Sequence, residues 1–239
     1  MATTINKQRL LNQLFTAANK HTEAGPDGHL VLQEFIYGLC RENATAEQAD
    51  RAYRHLCERF FDWNEVRVSS PREVEEAFAG LSGPEARAQR LLSFLQEVFE
   101  IHFAYDLEKL HKEGVKQAAK KLGRYQAAND YVTSWVVQRS LGGHAIPIDA
   151  PTLRCSRRLG LVEGCQEDLE AARASLEHLV PKAKGSLFTD VVSTLAEQYC
   201  WEDEPHCQAC PLAGDCATGQ ETVVPSLTTA SRSHRPKPR

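Results

Sequence analysis

Four cysteines near the C-terminal end are the residues whose type and spacing point most directly to chemistry. Cys200, Cys207, Cys210 and Cys216 are separated by six, two and five residues. Thiolate sulfur is a soft ligand that suits zinc and iron–sulfur clusters, and one loop can wrap four such donors around a compact centre. The spacing therefore predicts a metal centre in residues 200–216.

Disulfides and zinc are the alternatives to an iron–sulfur cluster. Nothing at the N-terminus resembles a secretion signal, and a reducing compartment keeps thiols free, so we do not expect disulfides. Structural zinc sites usually pair their ligands as two close couples, whereas only Cys207 and Cys210 form such a couple here. Spacing alone leaves zinc as the rival of a cluster.

The cysteine loop also carries Pro205 before its second cysteine and Pro211 after its third. In this form it resembles the [4Fe-4S] loop of the endonuclease III family of DNA glycosylases. The resemblance implies a [4Fe-4S] cluster held by the four cysteines. It also implies a monomer that binds double-stranded DNA with a damaged or mismatched base.

Residues 146–154 read Ile-Pro-Ile-Asp-Ala-Pro-Thr-Leu-Arg and resemble the segment around the essential aspartate of that family. Asp149 is the corresponding residue, and Arg154 is a predicted DNA contact. Departure of a base leaves positive charge on the sugar. A carboxylate can stabilise this charge, or it can orient the water that attacks the sugar. Local sequence also favours a simpler role for Asp149, as a helix N-cap with proline in the first turn.

Residues 120–128 resemble the family's hairpin between two helices. Backbone N–H groups at such a turn can hold a phosphate directly or through a bound cation. Gly123 corresponds to the second glycine of the family's Leu-Pro-Gly-Val-Gly, whereas Lys120 and Lys121 replace its proline and first glycine. We expect Lys120, Lys121, Gly123 and Arg124 to contact DNA, with lysine charge offsetting the lost turn residue.

Tyr125 stands two residues after Gly123, where bifunctional members of the family carry lysine. A lysine amine can attack the sugar and form a Schiff base that leads to strand cleavage, whereas a phenol has no nitrogen to do so. Tyrosine at this position resembles the glycosylases that remove thymine from G·T mismatches. The resemblance implies a divergent monofunctional enzyme with Tyr125 at the catalytic pocket, and an aromatic residue packed on a helix is the alternative.

A weaker match involves Asn43, which falls where endonuclease III inserts a glutamine into the gap left by the flipped base. A polar side chain at that position can fill the gap and pair with the orphaned base. Asn43 equally fits a turn before a helix that starts near Thr45. We predict a DNA contact for Asn43 and keep the turn as the alternative.

The distribution of charge indicates whether the protein could bind nucleic acid. The 239-residue chain has a formal net charge of −4, which argues against nucleic acid only if the charge is evenly spread. Six basic residues and one acid lie between Lys109 and Arg124, so we expect a basic face, with a solvated helix face as the alternative.

No apolar run approaches the ~20 residues of a membrane helix. We expect a cytoplasmic protein, associated with the nucleoid if bacterial.

Apolar residues recur at helical spacing almost throughout, as in Leu91, Leu95 and Val98, and no convincing β-alternation interrupts them. The sequence therefore predicts an all-α fold. The resemblance adds two domains, which are a six-helix barrel over 22–142 with the helix-hairpin-helix element near 109–140, and a cluster domain from 1–21 plus 143–220. Residues 221–239 are predicted to be a disordered basic tail.

Three functions follow from these features. The first is a monofunctional DNA N-glycosylase of base-excision repair that acts on a flipped base without lysine-dependent lyase activity. The second is an inactive DNA-binding or structural homologue that keeps the fold and cluster, suggested by the altered hairpin, Tyr125 and the acidic net charge. The third is a zinc-bound interaction module.

The remaining cysteines, Cys40, Cys57, Cys155 and Cys165, show no ligand spacing and are predicted to be small buried residues.

Overall fold

The structure is a computed structural model that describes residues 6–17, 29–163 and 169–223. Within these ranges the chain forms helices and no strand, which confirms the all-α prediction. The α-helices are α1 Lys7–Ala17, α2 Val31–Arg41, α3 Ala46–Arg59, α4 Trp63–Val68, α5 Pro71–Glu75, α6 Pro84–His102, α7 Val115–Leu122, α8 Asp130–Arg139, α9 Ala150–Arg158, α10 Leu169–Leu179, α11 Gly185–Gln198 and α12 Ala217–Val223. Short 3-10 helices span Glu76–Phe78, Glu108–Lys112, Lys182–Lys184 and Cys207–Ala209. None of the described helices has the length and apolarity that a membrane crossing needs.

Polar N-cap residues fix where several of these helices begin. Thr45 and Ser70 form capping boxes at the starts of α3 and α5. Asp62, Asn129 and Asp149 cap α4, α8 and α9 with side-chain oxygens that accept a backbone N–H. Each such cap stabilises its helix by about 1 kcal/mol because it satisfies an otherwise unpaired donor. The last two caps determine the geometry of the site described below.

Buried apolar side chains form two separate groups. The first lies within residues 31–136 and includes Phe35 and Phe94, whose rings stack with centroids 3.7 Å apart, and the fully buried Trp135. The second joins α1 to residues 146–216, with Leu11 and Phe188 among its members. The two groups follow the order of the predicted domains. The domain boundaries themselves stay predictions, because residues 18–28 lie outside the described ranges.

Ion pairs connect the two groups of core residues. Arg41 at the end of α2 donates to Glu197 of α11 at 2.9 Å, and Arg139 of α8 lies 2.5 Å from Asp190 of α11. Removing one member of such a buried pair leaves a charge without compensation and costs about 3–5 kcal/mol. The first pair holds the turn after α2 against the second core. That turn carries Asn43.

The predicted C-terminal tail and the four remaining cysteines fall partly within the described residues. Residues 221–223 of the predicted tail lie in α12, and residues 224–239 are outside the described residues. Cys40 and Cys155 are buried as predicted, but Cys57 is exposed, because it lies on the solvent side of α3. Cys165 also lies outside the described residues.

Candidate active site and cysteine cavity

Asp149 is held rigidly at the start of α9. Its Oδ1 accepts the N–H of Thr152 at 3.0 Å, which is the N-cap bond that the sequence favours. Its Oδ2 accepts the N–H of Asn43 at 3.0 Å from the turn between α2 and α3. The residue is 6% exposed. Two backbone donors from distant parts of the chain therefore fix the orientation of this carboxylate.

Asn43 completes a reciprocal pair with the start of α9. Its φ is +52°, in the left-handed region that asparagine tolerates better than most residues. Its Oδ1 accepts the N–H of Ala150 at 3.1 Å. The structure thus brings Asn43 and Asp149 together, in the turn that the sequence allowed. In this arrangement α9 already occupies the side-chain oxygen of Asn43. Insertion of Asn43 into DNA would break that hydrogen bond, and it stays a prediction.

Two cavities meet at Asp149 and Asn43. The larger, here called the Asp149 cavity, has a volume of about 480 Å³. Its walls are formed by Glu42, Asn43, Asn129, Asp130, Tyr131, Ile148, Asp149, Ala150, Leu169 and Arg173. The second has a volume of about 230 Å³, and its walls include Arg41, Arg154, Glu197 and Trp201. The larger volume lies in the range of small-molecule pockets, so the Asp149 cavity can admit a nucleobase.

Tyr131 is the aromatic residue of the Asp149 cavity, and the sequence interpretation missed it. It lies in the first turn of α8, is 5% exposed and lines the cavity with Asp149. Burial and then the negative charge of Asp149 raise the pKa of Tyr131 above its usual range, so its phenol is neutral at physiological pH. The available signal was Asn129, a typical N-cap residue that places the start of the hairpin's second helix at Asp130.

Tyr125, which the resemblance places at the catalytic pocket, does not line the Asp149 cavity. Its ring makes edge contacts with Phe94 and Phe35 at centroid distances of 5.1 and 6.1 Å. Its hydroxyl is 3.1 Å from His102 Nε2, and burial raises its pKa to about 12. Tyr125 lines neither of the two cavities at Asp149. Because α8 begins at Asp130, Tyr125 belongs to the turn before that helix and packs into the first core.

The predicted hairpin contacts take an unexpected form. Gly123 has a φ of −67° and caps the end of α7, so this position does not use the conformational freedom of glycine. Lys121 pairs with Glu113 at 2.5 Å, and the N–H of Gln126 donates to the carboxylate of Glu97 at 3.1 and 3.2 Å. A carboxylate therefore already occupies one hairpin amide. Lys120 and Arg124 are exposed, and DNA contact by all these residues stays a prediction.

The four predicted cysteines line a single cavity, here called the cysteine cavity. Its volume is about 20 Å³, because the side chains around it pack closely. Besides Cys200, Cys207, Cys210 and Cys216, its walls are formed by Cys155, Arg158, Leu159, Leu195, Tyr199, Pro205, Ala213, Thr218 and Gly219. Most of these neighbours are apolar, and they pack into the second core. The loop and α9 thus enclose a thiol-lined space.

The four thiols have the chemistry of a zinc or iron–sulfur ligand set, because thiolate is a soft donor. Among the described residues, no group of three or more His, Cys, Asp or Glu side chains is arranged so that it could hold a metal ion. In a [4Fe-4S] cluster each cysteine binds a different iron, so its ligands stand around a cavity. Four cysteines line one cavity here, and the centre that they hold stays a prediction.

Arginines and a further thiol surround Cys200. Arg158 Nη1 lies 3.7 Å from the Cys200 sulfur, and Arg154 Nε donates to the Cys200 carbonyl at 3.0 Å. A hydrogen bond from the Cys155 thiol, helped by Arg158 and Arg154, lowers the pKa of Cys200 to about 6 despite burial. The thiolate that metals bind is thereby favoured. Arg154, predicted to contact DNA, holds the cysteine loop here.

Comparison with known sequences gives weak but extensive similarity. No protein-family model matches the chain. It is 23% identical over 209 residues to the DNA glycosylase/AP lyase ROS1 of Arabidopsis thaliana, covering 79% of this chain and 15% of that protein. It is also 23% identical over 171 residues to the transcriptional activator DEMETER of Arabidopsis thaliana, covering 65% of this chain and 9% of that protein. The chain thus spans only a small part of each relative.

Solved structures resemble most of the chain. A trapped covalent intermediate of endonuclease III with DNA has a TM-score of 0.69 and 17% identity, covering 92% of this chain and 99% of the other. A thermostable thymine-DNA glycosylase has a TM-score of 0.66 and 16% identity, covering 90% and 97%. The 3-methyladenine DNA glycosylase of H. pylori has a TM-score of 0.60 and 11% identity, covering 80% and 97%. The chain therefore has the fold of the endonuclease III superfamily of helix-hairpin-helix DNA glycosylases.

Proposed function

We propose that this protein is a DNA N-glycosylase of base-excision repair, which removes a damaged or mismatched base flipped into the Asp149 cavity. The observation that carries the proposal is the Asp149 carboxylate, fixed by the N–H groups of Asn43 and Thr152 at the wall of a cavity of about 480 Å³. The names of the similar proteins, among them a DNA glycosylase/AP lyase and a thymine-DNA glycosylase, support the same activity.

Asp149 supplies the negative charge that this reaction needs. As the base leaves, positive charge develops on the sugar, and a carboxylate already in place stabilises it without reorganisation. The same oxygens can orient the water that attacks the sugar carbon. Two backbone hydrogen bonds hold the carboxylate while leaving lone pairs on both oxygens. Tyr131 adds a neutral hydroxyl to the cavity wall.

The cavity composition favours a monofunctional enzyme. No lysine is among the described residues that line the Asp149 cavity, and Tyr131 has no amine. Formation of a Schiff base with the sugar requires an amine, so the expected product is an abasic site in an intact strand. Double-stranded DNA is the proposed partner of a monomeric protein.

A [4Fe-4S] cluster in the cysteine cavity is the second part of the proposal. Cys200, Cys207, Cys210 and Cys216 would hold it, and bound there it would cross-link residues 200–216 and couple them to α9. The rival is zinc, which gives no colour. A brown protein with a broad absorbance near about 400 nm and about four irons per chain supports the cluster.

The test of activity uses the purified protein and duplexes with G·T, G·U, A·8-oxoguanine or an oxidised pyrimidine. We expect strand cleavage only after alkali, which cuts at abasic sites, on at least one duplex. Asp149→Asn should abolish it and keep the N-cap bond to Thr152, but its NH2 group cannot accept the N–H of Asn43, so thermal unfolding of the variant must show that it is folded at the assay temperature. Base release that persists in Asp149→Asn refutes the proposed role, and cleavage without alkali refutes the monofunctional assignment.

An inactive DNA-binding homologue is the second candidate, and the hairpin favours it. Glu97 occupies the Gln126 amide, and Glu113 neutralises Lys121, so the phosphate-binding potential of the hairpin is reduced. Salt-sensitive binding to every duplex, with no abasic product from any, would support this candidate. Duplex-specific abasic product would exclude it.

A further inference from the structure

The wall of the Asp149 cavity contains one arginine and three carboxylates. Arg173, from α10, is the only Lys or Arg side chain among the described residues that line it. The carboxylates belong to Glu42, Asp130 and Asp149. Arg173 is part of none of the sequence motifs described above. A single positive charge among three carboxylates therefore needs a physical explanation.

Two of these carboxylates have partners of their own. Arg90, which is not among the residues that line the cavity, donates from Nη1 to Glu42 Oε2 at 2.8 Å. Asp149 accepts the backbone N–H groups of Asn43 and Thr152, both at 3.0 Å. These contacts hold both carboxylates without Arg173.

Arg173 makes only long ion pairs with its neighbours. Its Nη1 lies 3.5 Å from Asp130 Oδ2, and its Nε lies 4.0 Å from Glu177 Oε1. A strong hydrogen bond between such charged groups is about 2.7–2.9 Å long. The Arg173 side chain is 25% exposed and that of Asp130 is 78% exposed, which places the pair at the mouth of the cavity. The guanidinium group is therefore in a position to bind a ligand there.

A nucleotide that enters this cavity brings negative charge to a wall that already carries carboxylates. In the proposed complex the base and sugar enter the interior, so the backbone phosphates remain at the mouth. The planar guanidinium fork of arginine matches the oxygens of a phosphate, and the opposite charges attract. A cation deeper in the cavity would instead oppose the positive charge that develops on the sugar. The position of Arg173 thus suits a phosphate better than the base.

We propose that Arg173 binds a backbone phosphate of the flipped nucleotide at the mouth of the Asp149 cavity. This inference rests on the proposed function, in which that cavity receives a flipped nucleotide. The contact forms only when the nucleotide has left the helix, so a duplex with an extrahelical nucleotide makes one more phosphate contact than an undamaged duplex. Each contact releases counterions and steepens the fall of log K with log salt by about 0.9. Between about 50 and 200 mM salt this amounts to an additional loss of about 3.5-fold in affinity.

The experiment measures the Kd of the full-length protein for two duplexes by fluorescence anisotropy, from about 50 to 200 mM salt. One duplex contains a tetrahydrofuran residue, which has the phosphates of an abasic site but no base, and the other is undamaged. The wild type should show the steeper slope with the tetrahydrofuran duplex.

Arg173→Ala should remove the difference in slope and weaken binding of the tetrahydrofuran duplex about tenfold at low salt. Arg173→Lys keeps the positive charge and should keep the difference. Arg59→Ala is the matched control, because Arg59 is 36% exposed and pairs with Glu76 but lines neither of the two cavities at Asp149. Its slopes should equal those of the wild type.

Equal slopes of the wild type and Arg173→Ala with the tetrahydrofuran duplex would overturn the inference. An equal decrease in slope with both duplexes would also overturn it, because Arg173 would then contact the phosphates of any DNA. A loss of affinity for G·T or G·U duplexes with no loss for the tetrahydrofuran duplex would overturn it as well, since Arg173 would then contact the base. If Arg173→Ala does not fold, Arg173→Gln removes the charge and keeps most of the side chain, with the same expectation.

These measurements do not depend on base release. A difference in slope that requires Arg173, in a protein that yields no abasic product, would support the phosphate contact and refute the glycosylase. Abasic product without any such difference would refute the contact and leave the glycosylase proposal intact.

Discussion

If the protein is the proposed monofunctional enzyme, lysine introduced at position 131 should add covalent chemistry with the sugar, whereas lysine at position 125 should not. Tyr131 lines the Asp149 cavity, so the amine of Tyr131→Lys would reach the sugar of a nucleotide bound beside Asp149. Tyr125 contacts Phe35, Phe94 and His102 in the first core instead. The two substitutions are chemically identical. Only the position of the amine differs.

The same placement predicts different costs for folding. Tyr125→Lys loses a buried aromatic ring and both edge contacts and brings an amine into an apolar core, so we expect a loss of about 3–5 kcal/mol in the free energy of unfolding. Tyr131→Lys also loses a buried ring, which stacks on Trp135 with the centroids 6.2 Å apart, but its amine can extend into the cavity beside the Asp149 carboxylate, so we expect a smaller loss of about 2–3 kcal/mol. Denaturant unfolding of both variants measures the difference.

Borohydride trapping measures the chemistry. A Schiff base between the amine and the sugar of an abasic duplex becomes a stable protein–DNA cross-link on reduction, which migrates separately in a denaturing gel. Tyr131→Lys should form the cross-link, and Tyr131→Phe should not. Trapping by Tyr125→Lys but not by Tyr131→Lys would refute the assignment of Tyr131 to the cavity and restore Tyr125.

Three further perturbations test the electrostatics. Glu97→Gln should raise the affinity for any duplex severalfold at low salt, measured by fluorescence anisotropy, because it removes a negative charge from the hairpin amide of Gln126. Arg41→Ala should lower the free energy of unfolding by about 2–3 kcal/mol, because its partly buried partner Glu197 loses its compensating charge. Burial raises the pKa of Glu34 above 4.5, so its ionisation opposes folding. The stability of the wild type relative to Glu34→Gln should therefore be greatest below about pH 4.5 and fall as the pH rises through the raised pKa, measured by denaturant unfolding across pH.

Each of these has its own control. Glu100→Gln removes an exposed charge from the same helix as Glu97 and should leave duplex affinity nearly unchanged. Arg51→Ala breaks an exposed pair with Glu47 and should cost less than about 0.5 kcal/mol, so an equal loss in Arg41→Ala would contradict the argument from burial. A constant difference between wild type and Glu34→Gln at every pH would show that Glu34 does not titrate differently in the folded and unfolded chain.

Local sequence patterns were sufficient to predict features that depend on residues close together in the chain. Apolar spacing and caps such as Thr45 and Asp149 determine helices within a few residues, and the four cysteines fall in one short loop, so both could be predicted. The sequence placed Tyr125 at the catalytic pocket by its distance from Gly123. In the structure Gly123 has helical dihedrals at the end of α7, and α8 begins only at Asp130, after the Asn129 cap.

Long-range contacts account for what the sequence did not reveal. Cys155 is separated from the cysteine loop by more than forty residues, and it reaches the cavity only because α9 packs against α11 and α12. Glu97 meets the hairpin in the same way, from the middle of α6. No spacing rule relates these residues to their partners, because their proximity depends on how whole helices pack.

The position of α9 links the two proposed centres. Its nine residues span about 14 Å, with Asp149 capping the N-terminal end and Arg158 at the C-terminal end. Arg154 and Arg158 bond to carbonyls of the cysteine loop, at Cys200 and Glu202 among others. At the opposite end, Asn43 holds Asp149 to the first core. A change that loosens residues 200–216 would therefore free one end of the helix that positions Asp149, the proposed catalytic carboxylate. If the proposed cluster is present, its removal should reduce base release through the placement of Asp149 even if the cluster takes no part in the chemistry.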